Sequence, residues 1–263
     1  MDFLKWSAYE LSERPKNYGL IHIIFIVVMI VSVALMIWKI KKIDNRRMNK
    51  IVLTFGIILF VIEIYKQLVY TFVDSDGSYQ WYAFPFQFCS SPMYVCLILP
   101  FIKNDKIKNA LYGYLAFFGT IGGLVVMIYP NDVWVRTLSI SLHSMIWHSS
   151  MVVLGVFILA KKNYEANIKQ VFPAIIVFVI FVLLAQTLNI SFYHLFIKDL
   201  GQTFNMFFIS PYFECTLPVF NIFYNHFGWI ICMILYVLAF SIGTVVVYYI
   251  LRFIKKLGKL IKE

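Results

Sequence analysis

The amino-acid sequence predicts an all-α, polytopic membrane protein built from seven transmembrane helices. Its 263 residues are 61% hydrophobic and 14% charged, whereas soluble domains average roughly 45–50% apolar and about 25% charged residues. The apolar residues form seven runs, most of them near the length of about 20 residues that a helix needs to cross a bilayer core. The basic residues lie mainly after alternate runs, which is typical of membrane topology and argues against a nucleic-acid interface despite the net charge of +10.

The elements follow in order along the chain. Residues 1–19 form a polar arm of mixed charge that lacks the features of a signal peptide, so we expect it to lie at the membrane interface and the first apolar run to remain as a helix. Residues 20–253 form the membrane domain. Its predicted helices are Leu20–Ile40, Ile51–Val73, Pro85–Ile102, Asn109–Tyr129, Val135–Ala160, Val171–Asn189 and His226–Leu251.

The distribution of Lys and Arg predicts the orientation of the bundle. Seventeen of the 23 basic residues follow the first, third, fifth and seventh predicted helices. Because cytoplasmic loops carry an excess of Lys and Arg, the N-terminus is expected outside and the C-terminus inside, which requires an odd number of crossings. Residues 254–263 would then form a basic cytoplasmic tail.

The predicted outside segment, residues 190–225, is unusually apolar for a loop, with a run of aromatic residues between Phe204 and Phe213. Irregular backbone at membrane depth is tolerated where protein buries it or where it lines a cavity. Two alternatives follow: a re-entrant or capping segment over the outer half of the bundle, or an interfacial loop with aromatic anchors.

Glu63 and Lys66 interrupt the second predicted helix. A single charge near the centre of the bilayer costs about 3 kcal/mol on insertion scales. The spacing of three residues places the two side chains on one helical face, where they partly neutralise each other. They form either a structural ion pair or a functional site, in which they bind a lipid headgroup or in which Glu63 orients a histidine.

Cys89 is the candidate nucleophile. If the third helix begins at Pro85, the thiol lies in its first turns, where the helix dipole favours the thiolate. The hydrophobic surroundings oppose ionisation, so a base is needed, and a histidine of the fifth helix could supply it. The alternative is that Cys89 only packs, as buried cysteines usually do.

His143 and His148 are the candidate bases, since histidine is rare in membrane helices and usually faces the bundle interior. The alternative is interhelical hydrogen bonding. At about 1.5 Å per residue, Cys89 lies roughly 6 Å, His143 roughly 12 Å and His148 roughly 20 Å below the starts of their helices, so depth favours His143. A metal site formed by these three residues lacks close ligand spacing, and we expect neither a metal nor a cofactor.

The chain resembles the YwaF-like family of integral membrane proteins, which is related to the transmembrane protein 164 family. The order and spacing of five motifs carry the resemblance: Glu63-Ile-Tyr-Lys-Gln67, Phe84-Pro-Phe-Gln-Phe-Cys-Ser90, Gly119-Thr-Ile-Gly122 with Pro130-Asn-Asp132, Ser141 to Ser149, and Asn205-Met-Phe-Phe208 with Pro211.

This resemblance implies a seven-helix fold, a bacterial-type plasma membrane location and, as in eukaryotic relatives, fatty-acyl transfer among phospholipids. Carried over by motif, Cys89 is the nucleophile and His148 its partner. Ser149 stands where the family has Gly, and His143 lies near a common Gln position, so the identity of the base stays open.

Together these observations predict an acyl transferase or acyl hydrolase acting on phospholipid-like membrane lipids. Gln87 and Asn205 are candidate donors to an oxyanion or a headgroup, because amides supply preorganised hydrogen bonds, and Glu63 and Lys66 are candidate substrate-binding residues. The alternatives are a non-enzymatic lipid- or solute-binding protein, a transporter component, and a structural bundle. The sequence does not indicate an oligomeric state.

Overall fold

The computed structural model describes residues 2–162, 164 and 167–260, and this part of the chain is all-α apart from an isolated β-bridge between Glu10 and Thr137. The last three residues of the predicted basic tail, 261–263, lie outside the described residues. The α-helices are α1 (Asp2–Ser7), α2 (Leu20–Lys39), α3 (Asn45–Phe72), α4 (Ser91–Ile98), α5 (Asp105–Tyr114), α6 (Thr120–Ile128), α7 (Leu138–Lys162), α8 (Val171–Phe192) and α9 (Phe220–Leu260).

Six helical segments in the described ranges are long and apolar enough to cross a membrane. Short 3₁₀ and π turns extend several of them, and a π turn over Leu115–Gly119 joins α5 to α6 in one continuous span. The predicted all-α membrane fold is therefore confirmed. The spans are Leu20–Lys42, Asn45–Phe72, Asp105–Ile128, Leu138–Lys162, Ile168–Ile197 and Phe220–Lys256.

The third predicted helix differs from its expected form. It spans only Phe88–Phe101, with 3₁₀ turns on both sides of α4, and the helix does not begin at Pro85. The lead-in before it, residues 81–87, consists of a 3₁₀ turn and four non-helical residues. The Pro85 carbonyl accepts a 2.7 Å hydrogen bond from the Tyr94 hydroxyl, and the Gln87 side chain bonds a distant backbone segment. Six long helices are thus observed, and the seven-helix count stays a prediction.

Three of the basic loops meet at one end of the bundle. The Lys161 Nζ donates to the Ile40 carbonyl at 3.3 Å, and the Lys162 Nζ donates to Asn109 Oδ1 at 3.3 Å. The Tyr112 hydroxyl donates to Asn49 Oδ1 at 2.6 Å. Contacts therefore join the ends of α2 and α7 and the starts of α3 and α5, as one common membrane face requires.

The N-terminal arm lies at the opposite end, against the connection between α6 and α7. Arg136 and Glu10 approach to 3.7 Å, the Leu11 amide donates to the Arg136 carbonyl, and the Tyr18 hydroxyl donates to the Ile128 carbonyl at 2.6 Å. The N-terminal arm and the three basic loops thus lie at opposite ends of the bundle. Which end faces the cytoplasm stays a prediction.

The segment between α8 and α9 enters the bundle. Phe204, Met206 and Phe207 are fully buried in the main hydrophobic core. The Asn189 side chain, at the end of α8, donates to the Met206 carbonyl at 3.0 Å and accepts from the Met206 amide at 2.7 Å. Such a two-sided bond satisfies backbone groups that would otherwise be buried without partners. Residues 193–219, between α8 and α9, are called the capping segment below, and the choice between a re-entrant or capping element and an interfacial loop stays a prediction.

Candidate functional site

A cavity of about 340 Å³ lies at the end of the bundle opposite the basic loops. Its walls come from α3, the lead-in to α4, the connection between α6 and α7, the first half of α7 and the capping segment. All seven candidate residues from the sequence line it: Glu63, Lys66, Gln87, Cys89, His143, His148 and Asn205. The structure therefore brings these residues together, while their roles stay predictions.

Glu63 lies at the centre of a buried polar network on α3. Its Oε1 is 2.8 Å from the Lys66 Nζ and accepts a 2.7 Å hydrogen bond from the Gln67 amide. The same amide donates to the Ala83 carbonyl at 2.7 Å, which attaches the lead-in of α4 to α3. Glu63 Oε2 lies 3.8 Å from His143 Nε2. The structure thus contains both the ion pair and the carboxylate–histidine approach that the sequence left open.

Three buried polar atoms beside this network have no hydrogen-bond partner among the described residues. They are Glu63 Oε2 and both ring nitrogens of His143, and the two residues are more than nine-tenths buried. Buried polar groups are almost always hydrogen-bonded, to protein or to other molecules. The wall formed by Glu63 and His143 is therefore suited to a polar group of a ligand.

Cys89 lies in the 3₁₀ turn Phe88–Ser90, just before α4, and its side chain is half-buried. Its carbonyl accepts a 2.7 Å hydrogen bond from Trp147 Nε1, and the Trp147 ring stacks on His143 with centroids 5.2 Å apart. Cys89 therefore lies at the same depth in the bundle as Trp147. Trp147 is located between His143 and His148 in the sequence. The depth comparison assumed a helix beginning at Pro85, and without that helix depth no longer favours His143.

The two histidines differ in their hydrogen bonding. His148 Nδ1 lies 2.7 Å from the Ser144 carbonyl. Because a carbonyl oxygen only accepts, Nδ1 carries the proton, and the neutral ring keeps a free lone pair on Nε2. His143 has no such bond to fix its tautomer. Of the two rings, His148 is therefore the one whose hydrogen bond fixes a tautomer with a free acceptor nitrogen, and the identity of the base stays a prediction.

The side-chain amides of Gln87 and Asn205 are largely engaged in holding the capping segment. Gln87 donates to the Asn205 carbonyl at 3.0 Å and accepts from the Phe207 amide at 2.9 Å. Asn205 donates to the Glu214 carbonyl and accepts from the Ser210 amide, both at 2.9 Å. The main structural role of both amides is therefore to hold the cavity wall in place. Each amide nitrogen has one hydrogen left, and only that hydrogen can be donated to a ligand.

Sequence reasoning missed the acidic lining of the cavity mouth. Asp132 and Glu214 line it together with Glu63, and Lys66 is the only Lys or Arg among the described lining residues. The lining thus carries three carboxylates and one ammonium group among its described residues. Asp132 belongs to the Pro130-Asn-Asp132 motif, which could have drawn attention to it, whereas nothing in the sequence marked Glu214 or Trp147.

Within the described part of the chain, no group of three His, Cys, Asp or Glu side chains is arranged to hold a metal ion. Comparison with protein families gave a match to the model of the TMEM164 family over residues 14–249. The matched region includes every residue of the cavity. Comparisons with curated proteins and with solved structures gave no match.

Proposed function

This chain belongs to the TMEM164 family, and on that premise we propose that it is an intramembrane acyl transferase or acyl hydrolase. Its substrates would be phospholipid-like membrane lipids, and Cys89 its nucleophile. The observation that carries the proposal is that Cys89 and a tautomer-fixed His148 line one cavity within a bundle of membrane-spanning helices. A nucleophile and an oriented base in one cavity are the minimum arrangement for covalent acyl transfer.

The proposed reaction has two steps. His148 Nε2 takes the proton of the Cys89 thiol, and the sulfur attacks the ester carbonyl of a lipid. The carbon–sulfur bond forms, the carbon–oxygen ester bond breaks, and the departing alkoxide takes the proton from His148. In the second step His148 takes a proton from water or an acceptor alcohol, whose oxygen attacks the thioester carbonyl. The carbon–sulfur bond breaks, and the Cys89 sulfur takes the proton from His148 as it leaves.

The remaining lining residues have supporting roles in this proposal. Trp147 fixes the backbone of Cys89 through its bond to the carbonyl and separates Cys89 from His143. Glu63 and His143 offer the unpartnered polar atoms that a headgroup or an acceptor hydroxyl would bond. The acidic mouth favours a substrate with a cationic or neutral polar end over a bare anion.

The proposal includes seven crossings, with the N-terminus outside and the C-terminus inside a bacterial-type plasma membrane. The short segment Phe88–Phe101 would complete the third crossing together with its lead-in. Two contacts support an antiparallel course beside α3: Gln67 bonds the Ala83 carbonyl near one end, and Gly56 lies against Cys96 further along. The cavity then opens toward the outer half of the membrane.

A phospholipid probe carrying an alkyne-tagged acyl chain tests the nucleophile. We expect the intact mass of the wild-type protein to increase by one acyl group, and hydroxylamine, which cleaves thioesters, to remove it. Cys89→Ala should show no adduct, whereas Cys96→Ala, a change to a buried thiol outside the cavity, should keep it. An adduct that persists in folded Cys89→Ala would exclude this nucleophile.

A non-enzymatic lipid-binding protein is the second candidate, and the unpartnered atoms of Glu63 and His143 favour it because they suit ligand binding without any reaction. Native mass spectrometry of protein extracted with bound lipid separates the two functions. Lipid retained by Cys89→Ala and lost from Glu63→Gln, with no adduct in the wild type, would support binding alone.

A further inference from the structure

The end of the bundle opposite the cavity carries a concentrated positive charge. Its Lys and Arg residues come from three stretches of chain, residues 39–50, 103–108 and 161–169, and nine of the twelve are exposed. Together they are called the basic face: Lys39, Lys41, Lys42, Arg46, Arg47, Lys50, Lys103, Lys106, Lys108, Lys161, Lys162 and Lys169. The described residues of the same stretches include two carboxylates, Asp44 and Asp105, which leaves an excess of ten positive charges.

Both carboxylates of these stretches serve the start of a helix. Asp44 Oδ1 accepts a 2.7 Å hydrogen bond from the Arg47 amide and caps α3. Asp105 lies in the first turn of α5, where the helix dipole favours a negative charge. The ion pairs of the described chain are formed by Glu63 and Glu10 instead. The charge of the basic face is therefore available to an anion outside the protein.

Contacts between the stretches hold the basic face together as one surface. The Lys161 Nζ donates to the Ile40 carbonyl at 3.3 Å, which joins the end of α7 to the end of α2. The Lys162 Nζ lies 4.5 Å from the centre of the Tyr112 ring, which joins the end of α7 to α5. Cations that are far apart in sequence are thus brought to a common surface, where they can act on the same anions.

The basic face lies at the level of the lipid headgroups. Two of the membrane-spanning segments, Leu20–Lys42 and Leu138–Lys162, end within it. Trp38, which directly precedes Lys39, is 75% exposed, and exposed tryptophan rings at the ends of membrane helices lie among the headgroups. The anions that these cations meet first are therefore phosphates of membrane lipids.

We propose that the basic face binds the headgroups of anionic phospholipids in the adjacent leaflet. Lys and Arg form charge-assisted hydrogen bonds with phosphate, and clusters of about four to eight of them beside a membrane helix bind anionic lipids. Membrane topology alone requires positive charge near the helix ends, but it does not require the contacts that join three stretches into one surface. We draw the proposal from this end of the bundle alone, so it is independent of acyl transfer and of which end faces the cytoplasm.

Phosphatidylglycerol serves as the probe, and phosphatidylcholine with the same acyl chains is the comparison lipid. Each is titrated into the full-length protein in micelles of a neutral detergent, and bound lipid is counted by native mass spectrometry. We expect the wild type to reach a given occupancy at a concentration of phosphatidylglycerol about tenfold lower than that of phosphatidylcholine, because each Lys or Arg near an anionic surface strengthens binding.

Two triple variants locate the binding surface. The first removes three exposed charges of the basic face: Lys41→Gln, Lys42→Gln and Arg46→Gln. The matched control removes three exposed charges of the N-terminal arm, at the opposite end of the bundle: Lys5→Gln, Arg14→Gln and Lys16→Gln. The first variant should need about tenfold more phosphatidylglycerol than the wild type, whereas the control should behave like the wild type.

The comparison of the two lipids is made on the wild type, so it does not depend on the folding of either variant. Equal binding of the two lipids would overturn the proposal. Equal losses in the two triple variants would overturn it as well, because net charge rather than this surface would then determine binding. Inorganic phosphate at the same phosphorus concentration should leave the bound phosphatidylglycerol in place, and its displacement would instead indicate a site for free anions.

Discussion

Glu63 joins elements that are distant in sequence, because it contacts Lys66 and Gln67 on its own helix and faces His143 on α7. A carboxylate in this setting must be compensated, since removing one partner of a buried pair leaves an uncompensated charge. At the scale of single residues, Glu63 Oε1 is fully bonded to its helix neighbours. Glu63 Oε2 and the ring nitrogens of His143, in contrast, have no hydrogen-bond partner among the described residues.

The two histidines should differ in their effect on the reaction. We expect His148→Asn to slow formation of the acyl adduct about 100-fold or more, because a general base contributes on the order of 10²–10⁴ to the rate. Asparagine keeps a donor for the Ser144 carbonyl but supplies no base. His143→Asn, the matched control, should slow it by less. Rates of adduct formation with the alkyne lipid test this, and a larger loss in His143→Asn would reverse the assignment.

The ion pair on α3 can be tested by a double substitution. Glu63→Gln should lower the free energy of unfolding by about 3 kcal/mol, because it leaves Lys66 with its side chain largely buried and without its counter-charge. In the double variant with Lys66→Met, most of the lost free energy of unfolding should be recovered. Thermal unfolding in detergent measures both variants. Equal melting temperatures for wild type and Glu63→Gln would show that the pair contributes little.

The sequence predicted which residues share the cavity better than it predicted what they bond. Intramembrane charges, histidines and a cysteine stand out because each is costly or rare among apolar residues. The bonds of Gln87 to Asn205 and Phe207 could not be predicted, since they join positions about 120 residues apart. Trp147 was missed because tryptophan is a common residue type in apolar helices and does not stand out there.

At the scale of elements, the packing of α6 on α7 places His148. Gly123 on α6 lies against this part of α7, and a Cβ there would lie 2.6 Å from the His148 carbonyl and 2.7 Å from Val152 Cγ2. Small residues at helix interfaces allow such close approach. The contacts of Gly123 thus make it a packing residue of the interface between α6 and α7.

Two glycines of this region provide a matched pair of substitutions. Gly123→Ala should destabilise the protein by about 1–3 kcal/mol, the usual cost of overpacking, and should slow adduct formation by displacing the backbone of His148. Gly119→Ala should change neither, because its nearest neighbour would be the Met151 carbonyl at 3.8 Å. Thermal unfolding and adduct rates measure both. If both variants lost similar stability and reaction rate, the close approach of Gly123 to α7 would not be what positions His148.

The sequence predicted which segments form helices better than it predicted where those helices begin and end. Long apolar runs are a local property of the chain, and six of them became long helices. Pro85 was interpreted as a helix start because proline suits a first turn, but Pro92 is the proline at the start of α4. Residues 84–87 stay outside the helix, where tertiary bonds of Pro85 and Gln87 hold them, and the local sequence does not encode those bonds.

At the scale of the whole molecule, contacts among the basic loops make the predicted orientation testable. Single cysteines introduced at Lys106 and Ser78, on a background with the native cysteines replaced by alanine, should react differently with a membrane-impermeant maleimide in intact cells. We expect labelling at position 78 and none at position 106 until the membrane is permeabilised, because positive loops stay inside. The reverse pattern would invert the topology.

The shortness of Phe88–Phe101 bears on the biogenesis of the protein. This segment has fewer than the roughly 20 apolar residues with which a helix enters lipid independently. Its Cys96 lies against Gly56 of α3, so a partner surface is available as soon as the segment leaves the ribosome. The translocon is therefore expected to release α3 and this segment as a pair, and changes at Gly56 should reduce the yield of inserted protein.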